Sequence, residues 1–229
     1  MSDYIHKLIA EGEHQQLDFK FEISDSRKIA RTLVAFANTD GGRLLVGVKD
    51  NGAIAGVRSE EEYYMVEAAA QLYCKPEVRF QTREWNIEGK VVLEIIVPKS
   101  KDTKHKAPLK ADDYKVFIRV HDQNILADRM LLNYWKMSGS GSDVSIQINQ
   151  PEMILFRMLY SGTPVTMDSF IKQATISRKK AEDILLKMML IGLIELKMTE
   201  RETFFLLRDP ELLSRMNAEP VYNGHIKKS

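Results

Sequence analysis

The stretch Ile29–Val48, IARTLVAFANTDGGRLLVGV, decides how the first half of the chain folds. Ile29, Leu33, Phe36 and Ala37 recur at the i, i+4, i+7, i+8 spacing of one helix face. Asn38, Thr39 and Asp40 are poor helix formers, and Gly41-Gly42 follows where a left-handed C-cap belongs. Leu44–Val48 then predicts a buried strand, ended by Asp50-Asn51-Gly52. Asn-Gly in a two-residue loop favours a type I′ turn, so Ala53–Val57 is expected to return as the hairpin partner. A helix feeding through glycines into a strand that itself contains Gly47 leaves bare backbone near the turn. A phosphate or a neighbouring chain can approach closely there.

Upstream, residues 2–12 predict a helix with Ile5, Leu8 and Ile9 on one face. Leu17–Glu22 alternates, sending Leu17, Phe19 and Phe21 one way and Asp18, Lys20 and Glu22 the other. Ser24-Asp25-Ser26 is suited to cap the central helix. Downstream, Ser59 and Glu62 form a capping-box pattern for a helix ending near Tyr73. Strands are expected at 78–83, 91–97 and 115–120, with a lysine-rich loop over 99–110. Asn124 is expected to cap a closing helix whose apolar face includes Leu126, Met130, Leu131 and Trp135.

Ser138-Gly139-Ser140-Gly141-Ser142 then reads as a flexible linker. Beyond it the pattern gives helices near 149–160, 166–174 and 178–191, then strands at 193–197 and 204–207. That is the order of a winged helix-turn-helix domain, whose third helix can enter a major groove. The expected layout is α+β: a domain over 1–137, a linker over 138–145, a small winged-helix domain over 146–209 and a tail over 210–229.

Charge is nearly balanced, 33 Lys plus Arg against 32 Asp plus Glu. A sequence-indifferent DNA coat is usually strongly basic, so nucleic-acid contacts must come from local patches. The lone cysteine, Cys74, excludes an intramolecular disulfide and agrees with a reducing cytoplasm. The N-terminal residues lack a signal-peptide pattern, and no apolar run is long enough to span a bilayer. The expected location is cytoplasmic, with no membrane partner.

The pattern AFANTDGG-x-LLVGV-x-D-x-G-x-x-x-G resembles the AlbA-like domain shared with Schlafen proteins, to which DNA binding is ascribed. Two further blocks carry the resemblance: Glu13 through Asp18-Phe19-Lys20, and Phe117-Ile118-Arg119-Val120, where His121 replaces the usual glycine. Together the three blocks cover roughly residues 8–137. The resemblance implies nucleic-acid binding and, in some relatives, nuclease activity. It carries acidic nuclease positions onto Glu13, Asp18 and Asp50, with Lys20 beside them. Asp18 departs as a shorter residue than the usual glutamate, and Lys49 replaces an acidic residue often found before Asp50. Two or three carboxylates can hold magnesium or manganese against a phosphodiester while a lysine steadies the developing charge. The plainer alternative is a solvated strand face on which Lys20 pairs with its acidic neighbours. The sequence contains no G-x-x-x-x-G-K-(S/T) loop, so nothing in it supports ATP hydrolysis.

Two basic groups are candidates for nucleic-acid contact. One is the lysine-rich loop with Arg119, from which Lys104, Lys106 and Arg119 are selected; the other is Arg178, Lys179, Lys180 and Lys187 on the third helix of the second domain. The expected function is DNA binding in a transcriptional regulator, with duplex DNA as partner and no cofactor required for binding. In it the first domain adds phosphate contacts or a homodimer interface. The rival is a metal-dependent nuclease acting on RNA or DNA through Glu13, Asp18, Lys20 and Asp50, and a protein-contact scaffold is a third class.

Overall fold

The computed structural model describes residues 2–140 and 144–209. Residues 141–143 of the expected linker and the expected tail over 210–229 lie outside the described residues. The chain divides into two units, Met1–Ala127 and Asp128–Ser229. Its architecture is mixed α+β.

The first unit runs α1 (Ser2–Glu11), β1 (Leu17–Lys20), α2 (Ser26–Asn38), β2 (Gly42–Val46), α3 (Glu61–Leu72), β3 (Gln81–Ile87) and β4 (Lys90–Val97). Two hairpins follow, β5 (Ala107–Lys110) with β6 (Asp113–Lys115), and β7 (Phe117–Val120) with β8 (Gln123–Leu126). The main sheet has the order β1-β2-β4-β3. Its β1–β2 pair is parallel, as the α2 crossover between the two strands allows, and its other pairs are antiparallel. Leu44, Val46, Leu93 and Ile95 on one face share a core with Leu33, Phe36 and Ala37 of α2 and Val66 and Ala69 of α3. Leu17, Phe19, Leu45 and Val92 on the other face pack with Ile5 and Leu8 of α1. Full burial of a side chain such as Phe36 is worth about 1.5–3 kcal/mol.

The turn after α2 takes the expected form. Gly41 has φ +72°, and its N–H donates to the Phe36 carbonyl at 2.9 Å. The Phe36 ring lies so close over Gly42 that a Cβ there would collide with it. The hairpin after β2 differs from expectation. Gly52 N–H donates to Lys49 O at 2.8 Å, which puts Asp50 and Asn51 at the centre of the turn. Gly52 has φ +81° and Asn51 keeps a negative φ, so this is not a type I′ turn. Val48 and Ile54 form a single bridge, and β2 takes β4 as its extended partner.

The second unit runs α4 (Arg129–Ser138), α5 (Gln150–Tyr160), β9 (Val165–Thr166), α6 (Met167–Ala174), α7 (Arg178–Leu190), β10 (Ile194–Met198) and β11 (Thr203–Leu207). Its sheet is antiparallel, in the order β10-β11-β9. Leu155, Leu159, Phe170, Ile184, Leu185, Met188 and Phe205 form its core. The helix expected to close the first domain belongs here instead. Residues 123–126 form β8, Asp128 caps α4 by accepting from Met130 N, and Met130 is buried in the second core. The division therefore falls after Ala127, not after Met137, and Ser138 ends α4 where a linker was expected to begin.

Gly41→Val is expected to cost about 1–3 kcal/mol from its positive φ alone, since a β-branched residue is strained there. An added Cβ would also stand 2.8 Å from Val97 O. Equilibrium denaturation measures this, and a midpoint equal to wild type would contradict the assigned backbone conformation.

Candidate functional site

Asp18 and Lys20 lie on the sheet face beneath α2, but that face is not solvated. Asp18 is only 4% exposed. Its Oδ1 accepts from Arg119 Nη2 at 3.1 Å. Lys20 Nζ stands 3.0 Å from Asp18 Oδ2 in an ion pair without hydrogen-bond geometry, and donates to Phe19 O at 2.7 Å. Glu13 joins this group, its Oε1 accepting the Phe19 N–H at 2.8 Å. Burial, and then the neighbouring Asp18 carboxylate, push the Glu13 carboxyl above its ordinary range against the pull of the Phe19 bond and Lys20.

Asp50 is exposed on the turn after β2. Among the described residues no hydrogen bond or ion pair links it to Glu13, Asp18 or Lys20. Nor is there, among those residues, a group of three or more His, Cys, Asp or Glu side chains placed to hold a metal ion. The structure therefore brings together Glu13, Asp18 and Lys20 and leaves Asp50 out.

Arg119 was expected to meet phosphate from the surface; it is 2% exposed. Besides Asp18, its guanidinium donates to Leu17 O at 3.2 Å, His14 O at 3.4 Å and Asn124 Oδ1 at 3.1 Å. Its Cζ lies 5.2 Å from the Phe36 ring centroid. Its charge is spent inside the fold. Sequence alternation hid this, because an arginine on a short strand reads as a solvent-facing residue.

The lysine-rich loop is pinned rather than loose. Asn38, buried in the last turn of α2, donates to His105 O and Phe117 O, each at 2.9 Å, and accepts from His105 N at 2.8 Å. The His105 ring spans Pro76 O at 2.8 Å and Ser100 Oγ at 2.7 Å. A carbonyl facing Nδ1 requires the proton there, and the Ser100 hydroxyl can meet Nε2 either as donor or as acceptor. Lys106 is exposed, while burial and then the nearby Lys99 push the half-buried Lys104 ammonium below its usual range.

On α7, Ser177 caps the helix by accepting from Lys180 N at 3.3 Å. Arg178 pairs with Asp168 at 3.3 Å and Glu182 at 3.6 Å, and Lys187 pairs with Asp183 at 2.9 Å. Lys179 and Lys180 are exposed and have no ion-pair partner among the described residues. Lys180, Asp183 and Lys187 also border a shallow cleft of about 210 Å³ against Ser145–Asn149.

The family model described as Schlafen, AlbA_2 matches residues 13–128, half of the chain, and the chain belongs to that family. The match ends one residue past the first structural unit. No curated protein matches the chain. Among solved structures, the DIP2311 protein from Corynebacterium diphtheriae is similar at 18% identity and TM-score 0.46. That similarity covers 92% of this chain and 44% of the other, so the chain spans less than half of that protein. The N-terminal domain of a RecG-related protein from Nitrosomonas europaea is similar at 24% identity and TM-score 0.36, covering 56% of this chain and 94% of that domain. Among the described residues no helix is long and apolar enough to cross a membrane.

Arg119→Ala is expected to cost about 3–5 kcal/mol, the usual effect of removing one partner of a buried ion pair. It leaves Asp18 with the half-exposed Lys20 alone and empties the space the guanidinium filled. Arg119→Lys should recover little, since an ammonium cannot reproduce the planar fork. Denaturant midpoints of the two variants test this, and a wild-type midpoint for Arg119→Ala would refute the role assigned to the pair. Glu13 gives a pH test. Its raised folded pKa means the folded state holds the proton more tightly than the unfolded chain, so stability falls as pH rises through the interval between the two values. Glu13→Gln removes that loss, so its thermal midpoint relative to wild type should rise from pH 4 to pH 7. A pH-independent difference would contradict the shift.

Proposed function

We propose that the protein binds nucleic acid and that its second unit docks on duplex DNA as a winged helix, with α7 in the major groove, in a transcriptional regulator. The observation that carries this reading is the order α5-β9-α6-α7-β10-β11 around one antiparallel sheet. It leaves the capped N-terminus of α7 facing solvent, with Lys179 and Lys180 in no ion pair among the described residues. A helix N-terminus adds its own attraction for phosphate. The β10–β11 turn, with exposed Arg201, supplies the wing. Membership of the Schlafen AlbA_2 family supports a nucleic-acid partner for the first unit as well.

Arg178 and Lys187 contribute less in this reading, because binding must first separate each from its carboxylate. A second reading, metal-dependent hydrolysis, has one observation in its favour: Glu13, Asp18 and Lys20 do meet. Against it, Asp18 is already committed to Arg119 and Lys20, and Asp50 stands outside the group.

Replacing Lys179 and Lys180 with alanine is expected to weaken binding to a labelled duplex. It should also lower the slope of log K against log salt by about 0.9 per lost phosphate contact. Asp50→Asn, the charge control, should bind as tightly as wild type or tighter. The duplex should stay intact with magnesium or manganese present. Unchanged affinity and slope in the lysine variant would remove α7 from the interface. Metal-dependent cleavage that Asp18→Asn abolishes would replace this reading with the hydrolytic one.

A further inference from the structure

Phe21 was expected to point the same way as Leu17 and Phe19; those two are buried, yet Phe21 is 37% exposed. The strand stops short of it: Lys20 O accepts from Gly47 N at 2.8 Å and Val48 N at 3.3 Å, and β1 ends there. A single exposed phenyl ring is ordinary on a protein surface. What distinguishes this one is its company. Lys49 Nζ lies 5.4 Å and Arg58 Cζ 5.7 Å from the ring centroid. Both side chains are exposed, and neither has an ion-pair partner among the described residues. On a chain of balanced charge, many surface lysines sit against carboxylates; these two cations sit against a ring.

The backbone builds this arrangement. Gly47 O accepts from both Ala55 N at 2.8 Å and Gly56 N at 2.9 Å. Gly47 has φ +93°, and a Cβ on it would stand 2.8 Å from the Gly56 carbonyl carbon. The two segments can cross this closely because Gly47 carries no Cβ, while a Cβ on Gly56 would meet Lys90 and Val91 instead. Lys49 and Arg58 each follow one of those glycines by two positions, which delivers them to the same ring from different segments.

We propose that Phe21, Lys49 and Arg58 form a subsite for single-stranded nucleic acid, in which a base stacks on Phe21 and the flanking phosphates meet Lys49 and Arg58. It deepens, and rests on, the reading that the first unit binds nucleic acid. A stacked base lies about 3.5 Å above a ring. Both cations lie over the ring, at 5.4 and 5.7 Å from its centroid, farther out than Lys75, whose Nζ sits 3.8 Å from the Tyr114 centroid. A base therefore stacks on Phe21 by displacing these two exposed side chains onto its flanking phosphates. The partner is single-stranded because bases in a duplex already stack on one another and present no free face. An acidic peptide would meet the two cations but would leave the ring without a stacking partner.

The test uses the full chain and three fluorescent probes of equal length: a deoxythymidine strand, its abasic counterpart and a duplex. Base–aromatic stacking is worth about 1–3 kcal/mol per base, so Phe21→Leu, which keeps apolar bulk without a π-face, should weaken thymidine-strand binding roughly five- to 150-fold. Phe21→Trp should restore it. The abasic strand should bind wild type weakly and respond to neither variant. Replacing Lys49 and Arg58 with alanine should flatten the salt slope by about 0.7 per lost phosphate contact. Equal binding of wild type and Phe21→Leu to the thymidine strand, equal binding of thymidine and abasic strands, or polyglutamate competing as well as the strand would each overturn the proposal. Duplex binding lost with Lys179 and Lys180 but indifferent to Phe21 reports on the second unit alone, so failure of one reading is distinguishable from failure of the other.

Discussion

A guanidinium taken out of water costs several kcal/mol unless its charge and its N–H groups are met, and the first unit is arranged to meet those of Arg119. Asp18 supplies the opposite charge, Leu17 and His14 supply carbonyls, and Asn124 supplies an amide oxygen. Phe36 of α2 lies beneath the fork. One side chain thereby joins β1, the turn before it, β7, β8 and α2. Its own backbone is held too: Arg119 N–H donates to Thr39 Oγ1 at 2.9 Å, and Gln15 donates to Arg119 O at 2.9 Å. The Nε of Arg119 has no hydrogen-bond partner among the described residues, so the site is not fully satisfied.

That commitment decides what the surface of the first unit has left to offer. With Arg119 and Asp18 directed inward, neither is available to an external phosphate or metal without dismantling the pair. Asn38 ties the lysine-rich loop to β7, so Lys106 stands on a fixed platform rather than a loose strand. A second buried carboxylate, Glu94, is also met: Tyr4 and Trp85 donate to it at 2.8 and 2.9 Å, and Arg43 stands 3.2 Å away. Phe21 with Lys49 and Arg58 is an exposed group that none of these buried pairs uses.

The central helix, the Gly41 turn and the helices of the second unit were legible because each announces itself within a few residues. Apolar spacing defined α2 and α7, Ser177 stands where a cap of α7 belongs, and Pro151 marks the start of α5. What was not legible depended on distant partners. Asp18 looked solvated because its buried partner lies 101 residues away. Phe21 continued the alternation that assigns a residue to the core, and nothing local says that Gly47 and Val48 end the strand before it. Asn124 looked like a helix cap, but its side chain is used by Arg119 and Thr32, and the cap is Asp128. The Asp18–Lys20 pair was legible from its strand spacing, whereas adjacency to a glycine turn does not fix where the exposed side chain of Asp50 goes.

Net charge near zero means that specific surfaces, not overall attraction, must carry any nucleic-acid contact. On α7, among the described residues, Lys179 and Lys180 of the first turn are in no ion pair while Arg178 and Lys187 are, which makes the helix N-terminus the point on which the reading of the second unit turns. Hydrogen–deuterium exchange with and without duplex DNA tests that point most directly. The account predicts slowed exchange at Arg178–Asp183 and in the β10–β11 turn, with residues 47–58 unchanged by the duplex. Unaltered exchange across α7 in the presence of bound duplex would contradict it.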